Sequence, residues 1–284
     1  MKRIIFIGIA FMLGSMGAKS QTINTVLDGA YVPEHTQTKR VVPYPYLRES
    51  DVMWSKKIWR TLDLREKLNH PLYFPLEELN DRNSLFTVIK NSLVVDGSIT
   101  AYGLGPTQDD DEFKYPLAPS QVDSILNPTI TLEDEDLLTG EITYIETSAP
   151  IESELVTQYQ LKEHWVFDKQ RSERYVRIIG ICPRQEVYDE TTGDFRGFKS
   201  LFWLYYPECR YVFQNAWVFN PGNGAERRSF EEIFQKRRFA SFIHKEDNVY
   251  DRPVASYALG IDALLEAERI KSDLFLIEHD LWHY

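Results

Sequence analysis

Leu201-Phe202-Trp203-Leu204-Tyr205-Tyr206 is apolar on both faces of an extended chain, so it reads as a central strand covered on two sides. Working outward, Trp165-Val166-Phe167, residues 175–181 and residues 211–219 are runs of β-branched and aromatic side chains separated by turn residues. Together the four runs describe an antiparallel β-meander. Thr191-Thr192-Gly193-Asp194 supplies a hairpin turn between the run ending near Cys182 and the one beginning near Ser200. Downstream, Ser229-Phe230-Glu231-Glu232 matches a capping box and predicts a helix to about His244. Residues 260–282 carry Ala263, Ala267, Ile270, Leu274, Ile277 and Leu281 at spacings of four, three, four, three and four, a heptad seam on a terminal helix.

Upstream of the meander, residues 50–67 place Val52, Trp54, Ile58, Trp59 and Leu62 at mixed spacings of three and four, which predicts a helix apolar on a broad face. A second helix is expected over residues 81–94, then a turn at Asp96-Gly97 and a strand over 98–102. Residues 103–149 are poorest in pattern and richest in acid, with clusters at residues 109–112 and 133–136 and a short helix at 120–126. Neither cluster has the alternating ligands, central Gly and terminal Glu of a calcium loop, so the segment is expected to be solvated and mobile. Residues 21–49, with prolines at 33, 43 and 45 among Val41, Val42, Tyr44, Tyr46 and Leu47, form an extended arm. Such an arm packs on its own domain or on a neighbouring subunit. The fold class is α+β: an N-terminal extended arm and helices, an antiparallel β-meander and C-terminal helices.

The 284 residues include 32 Lys+Arg and 43 Asp+Glu, a net charge of -11, which disfavours nucleic acid and anionic membrane surfaces as partners. Lys2 and Arg3 precede an apolar run over residues 4–16, and Ala18-Lys19-Ser20 offers small residues at a cleavage site, so residues 1–20 read as a signal peptide cut before Gln21. The run is shorter than the roughly 20 residues that span a bilayer, which disfavours an uncut anchor. No Cys follows it to carry a lipid, and no later stretch reads as a membrane span. The expected hairpin register sets Cys182 beside Trp203 and leaves Cys209 about 20 Å further along. Bridged cysteines need Cα atoms within about 7 Å, so two separate packed thiols are expected.

No nucleophile elbow, P-loop or zinc-protease helix occurs, and the Gly103/Gly105 and Gly222/Gly224 pairs sit beside proline as turns. No catalytic, cofactor or metal residue is therefore assigned. His279 and His283 are four apart and could reach one zinc ion, but the end of a chain is a poor place for a rigid site. Arg227, Arg228, Lys236, Arg237, Arg238 and Lys245 concentrate positive charge in an acidic chain. They engage either an acidic partner or the chain's own acid clusters.

Three stretches carry a family resemblance: Asp28-Gly-Ala-Tyr-Val-Pro-Glu-His, Lys39-Arg-Val-Val-Pro-Tyr-Pro-Tyr-Leu-Arg-Glu-Ser-Asp-Val-Met-Trp, and Asp63-Leu-Arg-Glu-Lys-Leu-Asn-His-Pro-Leu-Tyr. With Leu201-Phe-Trp-Leu-Tyr-Tyr-Pro-Glu, Phe219-Asn-Pro and Asp262-Ala-Leu-Leu-Glu-Ala-Glu-Arg-Ile-Lys, the chain resembles the GldN/PorN family. The resemblance implies a non-enzymatic, periplasmic component of the type IX secretion and gliding-motility machinery of the Bacteroidota. It implies assembly with a GldK/PorK-like lipoprotein into a ring beneath the outer membrane, self-association within that ring, and GldL/GldM-like motor proteins as neighbours. A single domain over 50–284 then follows the arm. The interface candidates are Tyr44, Tyr46 and Leu47 on the arm, Arg237 and Arg238 in the basic cluster, and Leu274, Ile277 and Leu281 on the seam. A periplasmic hydrolase or carbohydrate-binding protein is the competing reading, and would need a cleft with paired carboxylates.

Overall fold

The computed structural model describes residues 39–79, 82–108, 110–135, 142–189 and 192–281. In chain order the strands are β1 (Val52–Asp63), β2 (Ala101–Tyr102), β3 (Thr129–Glu135), β4 (Ile142–Ser148), β5 (Val156–Asp168), β6 (Glu173–Tyr188), β7 (Phe195–Ser200), β8 (Trp203–Tyr205), β9 (Trp217–Val218), β10 (Arg228–Ser229) and β11 (Phe242–Glu246). The helices are α1 (His70–Tyr73), α2 (Leu85–Val94), α3 (Pro119–Leu126), α4 (Tyr206–Asn215), α5 (Phe230–Gln235) and α6 (Ile261–Leu281). The main antiparallel sheet runs β11-β1-β5-β6-β8-β2, with β7 paired to the second half of β6. The α+β class holds, and the long β5–β6 pair is the centre of the meander.

Directly opposed residues share a face of a sheet, and the β1–β5 register opposes Ile58 to Glu163, Arg60 to Leu161 and Leu62 to Tyr159. That face carries two apolar clusters end to end. One joins Leu62, Tyr159 and Leu161 to α2, α4 and α5 through Ile89, Phe213 and Phe234. The other joins Ile58 and Trp165 to Ala267, Ile270 and Leu274 of α6. Arg60 and Glu163 lie where the two meet. The opposite face holds a smaller cluster of Trp59, Cys182 and Trp203.

Residues 52–63 form a strand, not the expected helix. Trp54, Ile58 and Leu62 are four apart, a spacing that both a two-residue and a 3.6-residue period satisfy. Trp59 breaks the tie, because it is buried on the other face, as only a strand covered on both sides requires. The expected strand over 211–219 is instead mostly α4, opened by Pro207 in its first turn and burying Tyr206, Cys209, Arg210 and Phe213 at helical spacing. Of the strand expected over 98–102 only β2 forms. The helix from Ser229 keeps its N-cap, with Ser229 Oγ accepting from Glu232 N at 3.3 Å. It ends far short of His244, because Arg237 turns left-handed at φ +51° and Arg238 N–H closes on Ile233 O at 2.9 Å.

Within the acidic middle, β3 and β4 pair antiparallel from Thr129 opposite Ser148 to Glu135 opposite Ile142. In the first acid cluster, Asp111 accepts from Trp59 Nε1 and lies 3.1 Å from Lys162 Nζ, so it plugs the sheet's second face. Phe113 follows it against Tyr102, Trp203 and Tyr205. A side chain at position 180 would meet the Phe113 ring at 2.6 Å, so Gly180 is the residue that admits this plug.

The turn at Gly193 and the neighbourhood of Cys182 and Trp203 form as expected, with Asp189 N–H bonded to Asp194 O at 2.8 Å. Cys182 and Cys209 are free and buried. Burial pushes the Cys182 thiol up to about 12 and raises that of Cys209 as well. Since the thiolate is the nucleophile, neither should react with a chromogenic disulfide reagent at pH 8 in the native protein. Both should react in denaturant without prior reduction. One or no thiol released there would mean that the cysteines are bridged or blocked.

Candidate interaction site

A carboxylate organises the junction of the two clusters. Glu163 is fully buried; Arg60 Nε donates to its Oε2 at 3.0 Å, Trp165 Nε1 donates to the same oxygen at 2.9 Å, and Arg237 Nη1 lies 2.9 Å from Oε1. Arg60, Arg174 and Arg237 all lie over the Trp165 ring, at 5.6, 4.8 and 5.6 Å from its centroid. Burial lowers the Arg60 pKa, partly offset by Glu163. The left-handed Arg237 backbone costs about 1–2 kcal/mol, and its pairing with Glu163 and Trp165 holds it there.

The arm closes the next part of this surface. Among the described residues, no strand pairs with the outer side of residues 173–179 of β6. There Arg177 donates to Pro45 O and lies over the Tyr44 ring. Arg210 stacks 3.9 Å from the same ring, donates to Val42 O at 2.7 Å, and is held by Glu231 Oε1 at 2.6 Å. Glu231 also accepts from Tyr206 Oη at 2.6 Å. Burial raises the Tyr44 and Tyr206 pKa values, with Glu231 adding to both. The described part of the arm therefore packs on its own domain, held by arginines from the body rather than by bonds within itself.

A groove of about 530 Å³ opens beside Glu163, between the turn after α5, β11 and α6, and includes Arg174, Arg237, Phe239, Lys271, Leu274 and Phe275. A cavity of about 270 Å³ adjoins it under Tyr44 and shares Arg174 and Arg237. On the other cluster, a more apolar groove of about 700 Å³ runs between Phe74, Leu76, Leu79 and Phe219.

Of the interface candidates, Tyr46 is 81% exposed and Arg238 is exposed, while Tyr44 and Leu47 are half-buried. Arg237 is spent on Glu163, and Leu274 is buried against the sheet. Ile277 is half-buried, and Leu281 ends α6. Among the described residues, Arg237, Lys236 and Lys245 of the basic cluster pair within the chain with Glu163, Glu232 and Asp251. Sequence reasoning missed Arg60, Glu163 and Arg210. The available signal was a charge inside a run buried on both faces, which is costly unless paired. Residues 1–38 and His283 lie outside the described residues. Among the described residues no group of His, Cys, Asp and Glu could hold a metal ion.

His244 on β11 is a second titratable group, beside Thr61 on the other face of the sheet. Its Nδ1 lies 2.9 Å from Thr61 Oγ1, and burial, with Arg184 and Lys245 adding repulsion, lowers its pKa from 6.5 to about 3. In that interval the unfolded chain binds the proton and the folded one does not. Stability from this group is therefore full above about pH 6.5 and is lost as pH falls toward 3. Unfolding free energy should gain a slope of up to about 1.4 kcal/mol per pH unit there, and His244→Gln should remove that slope. An unchanged pH profile in the variant would show that the ring titrates normally.

The model of a family described as "Gliding motility associated protein GldN" matches residues 47–283. No curated protein matches the chain.

Proposed function

The chain belongs to the GldN family of gliding-motility-associated proteins, and from that premise we propose that it is a non-enzymatic structural component of the type IX secretion and gliding machinery. In this reading it is exported to the periplasm after loss of residues 1–20. There it assembles with a GldK/PorK-like lipoprotein into a ring beneath the outer membrane, with GldL/GldM-like motor proteins as neighbours. The observation that carries it is the family match over residues 47–283. The buried ionic cluster supports it, since Glu163 is engaged by Arg60, Arg237 and Trp165 and serves the packing of the sheet. No described helix is long and apolar enough to cross a membrane, and the lipoprotein supplies the attachment in this reading.

Affinity purification of the tagged chain from native cells tests it. The lipoprotein should co-purify in near-stoichiometric amount, in particles far larger than one chain. Tyr46→Ala with Arg238→Glu changes two exposed side chains, so stability should stay within about 0.5 kcal/mol while lipoprotein recovery falls. Recovery of the wild-type chain alone from mildly solubilised envelopes would overturn the assembly reading.

A further inference from the structure

Helix α6 has three long faces, and two of them are accounted for within the chain. Ala267, Ile270 and Leu274 are buried on the sheet. On one flank Arg269 bridges Glu266 and Asp273. The other flank is apolar and turned outward, with Ile261, Leu264, Leu265, Phe275 and Leu276 each 54–75% exposed. A surface helix ordinarily shows water a polar face there, and large apolar side chains grouped on a surface mark a place of contact.

Their spacing identifies what makes the contact. Leu264, Glu268, Lys271 and Phe275 follow one another at intervals of four, three and four, a single stripe that repeats the same intervals from either end. When a second copy of the helix lies antiparallel about a two-fold axis between residues 269 and 270, Leu264 meets Phe275 and Glu268 meets Lys271, each contact occurring twice. Two apolar clusters about 16 Å apart then enclose four alternating charges. Lys271 Nζ and Glu268 Oε1 already pair within one helix at 3.2 Å, and both side chains are mostly exposed. No free cation is needed, because an ammonium has three donors and a carboxylate about four acceptor sites. Each group keeps its own partner and gains the one on the facing helix. A parallel pairing would instead set Glu268 on Glu268 and Lys271 on Lys271.

We infer that α6 pairs antiparallel with α6 of a second copy of this chain through this stripe. A two-fold contact uses the same face on both copies and closes at two, so it differs from the contact that continues a ring. The inference goes beyond assembly with a lipoprotein, and its test uses the purified chain alone, so the two readings fail separately.

Sedimentation velocity of the purified mature chain should show a reversible monomer–dimer equilibrium. Glu268→Lys brings two ammonium groups face to face and Lys271→Glu two carboxylates, so each alone should raise the dimer dissociation constant about tenfold. Mixed in equal amounts, the two variants should recover the wild-type affinity, since every ammonium of one chain then faces a carboxylate of the other. That recovery reports pairing between chains, because the pair inside one helix is lost in both variants. Leu264→Ser/Phe275→Ser, altered only at exposed positions, should abolish the dimer and leave the melting temperature unchanged. A wild-type chain that stays monomeric to about 100 µM would overturn the pairing. So would a dimer unmoved by Leu264→Ser/Phe275→Ser, or a mixture of the charge variants that stays as weak as either alone.

Discussion

Glu163→Ala should cost about 3–5 kcal/mol, enough to leave a domain of ordinary stability largely unfolded. The side chain is fully buried at the junction of the two apolar clusters and is the counter-charge for both Arg60 and Arg237. Removing it strands a guanidinium that is itself 8% exposed, and leaves the Trp165 Nε1–H without its acceptor. The cost is then the uncompensated burial of a cation, which exceeds the worth of the pair itself. Glu163→Gln keeps the volume and one acceptor oxygen, so it should fall between the wild type and the alanine variant. Urea midpoints at constant slope measure both. An alanine variant within about 1 kcal/mol of wild type would show that water reaches the arginines and that the cluster is a surface feature.

The second large effect is at α6. Ile270→Ala and Leu274→Ala should each cost about 2–5 kcal/mol, because both side chains are buried against Ile58, Trp165 and Ile243 of the sheet. Ile277→Ala, one turn on and half-buried, should cost less. Phe275→Ala, mostly exposed, should stay within about 0.5 kcal/mol. This ordering separates a core seam from a partner-facing one. If Leu274→Ala kept its melting temperature and lost only complex formation, the helix would be packed against another chain rather than its own sheet. The heptad spacing alone could not distinguish these, since a sheet face and a partner helix both select a narrow apolar stripe.

Legibility followed how local each signal was. The Ser229 cap, the turn at Gly193, the short helix at Pro119–Leu126 and the whole of α6 were readable, because a cap, a positive-φ glycine and a long 3.5-residue repeat act within one element. The spacing of Trp54, Ile58 and Leu62 was not decisive, as helix and strand both satisfy it; the neighbour β5 resolves it by supplying a ladder along the whole strand except at Met53, where the register shifts. The aromatic run over 211–219 read as strand, yet it lies largely in α4, which has Pro207 in its first turn.

The sequence by itself determined the mixed class, the acid-rich middle and, through its motifs, the GldN resemblance that the family match bears out; the tertiary structure decided that the two thiols are separate. Only the tertiary structure decided which charges are structural. Arg60, Lys162, Glu163, Arg210 and Glu231 come from four different elements, and sequence separations of about 20 to 100 residues divide each from its partner. Glu163 meets Arg60 because β1 and β5 pair in one register; a slip of one residue in either strand would put the two side chains on opposite faces. The cost of burying a charge depends on what else reaches the same place, and the long-range pairing of strands settles that for this protein.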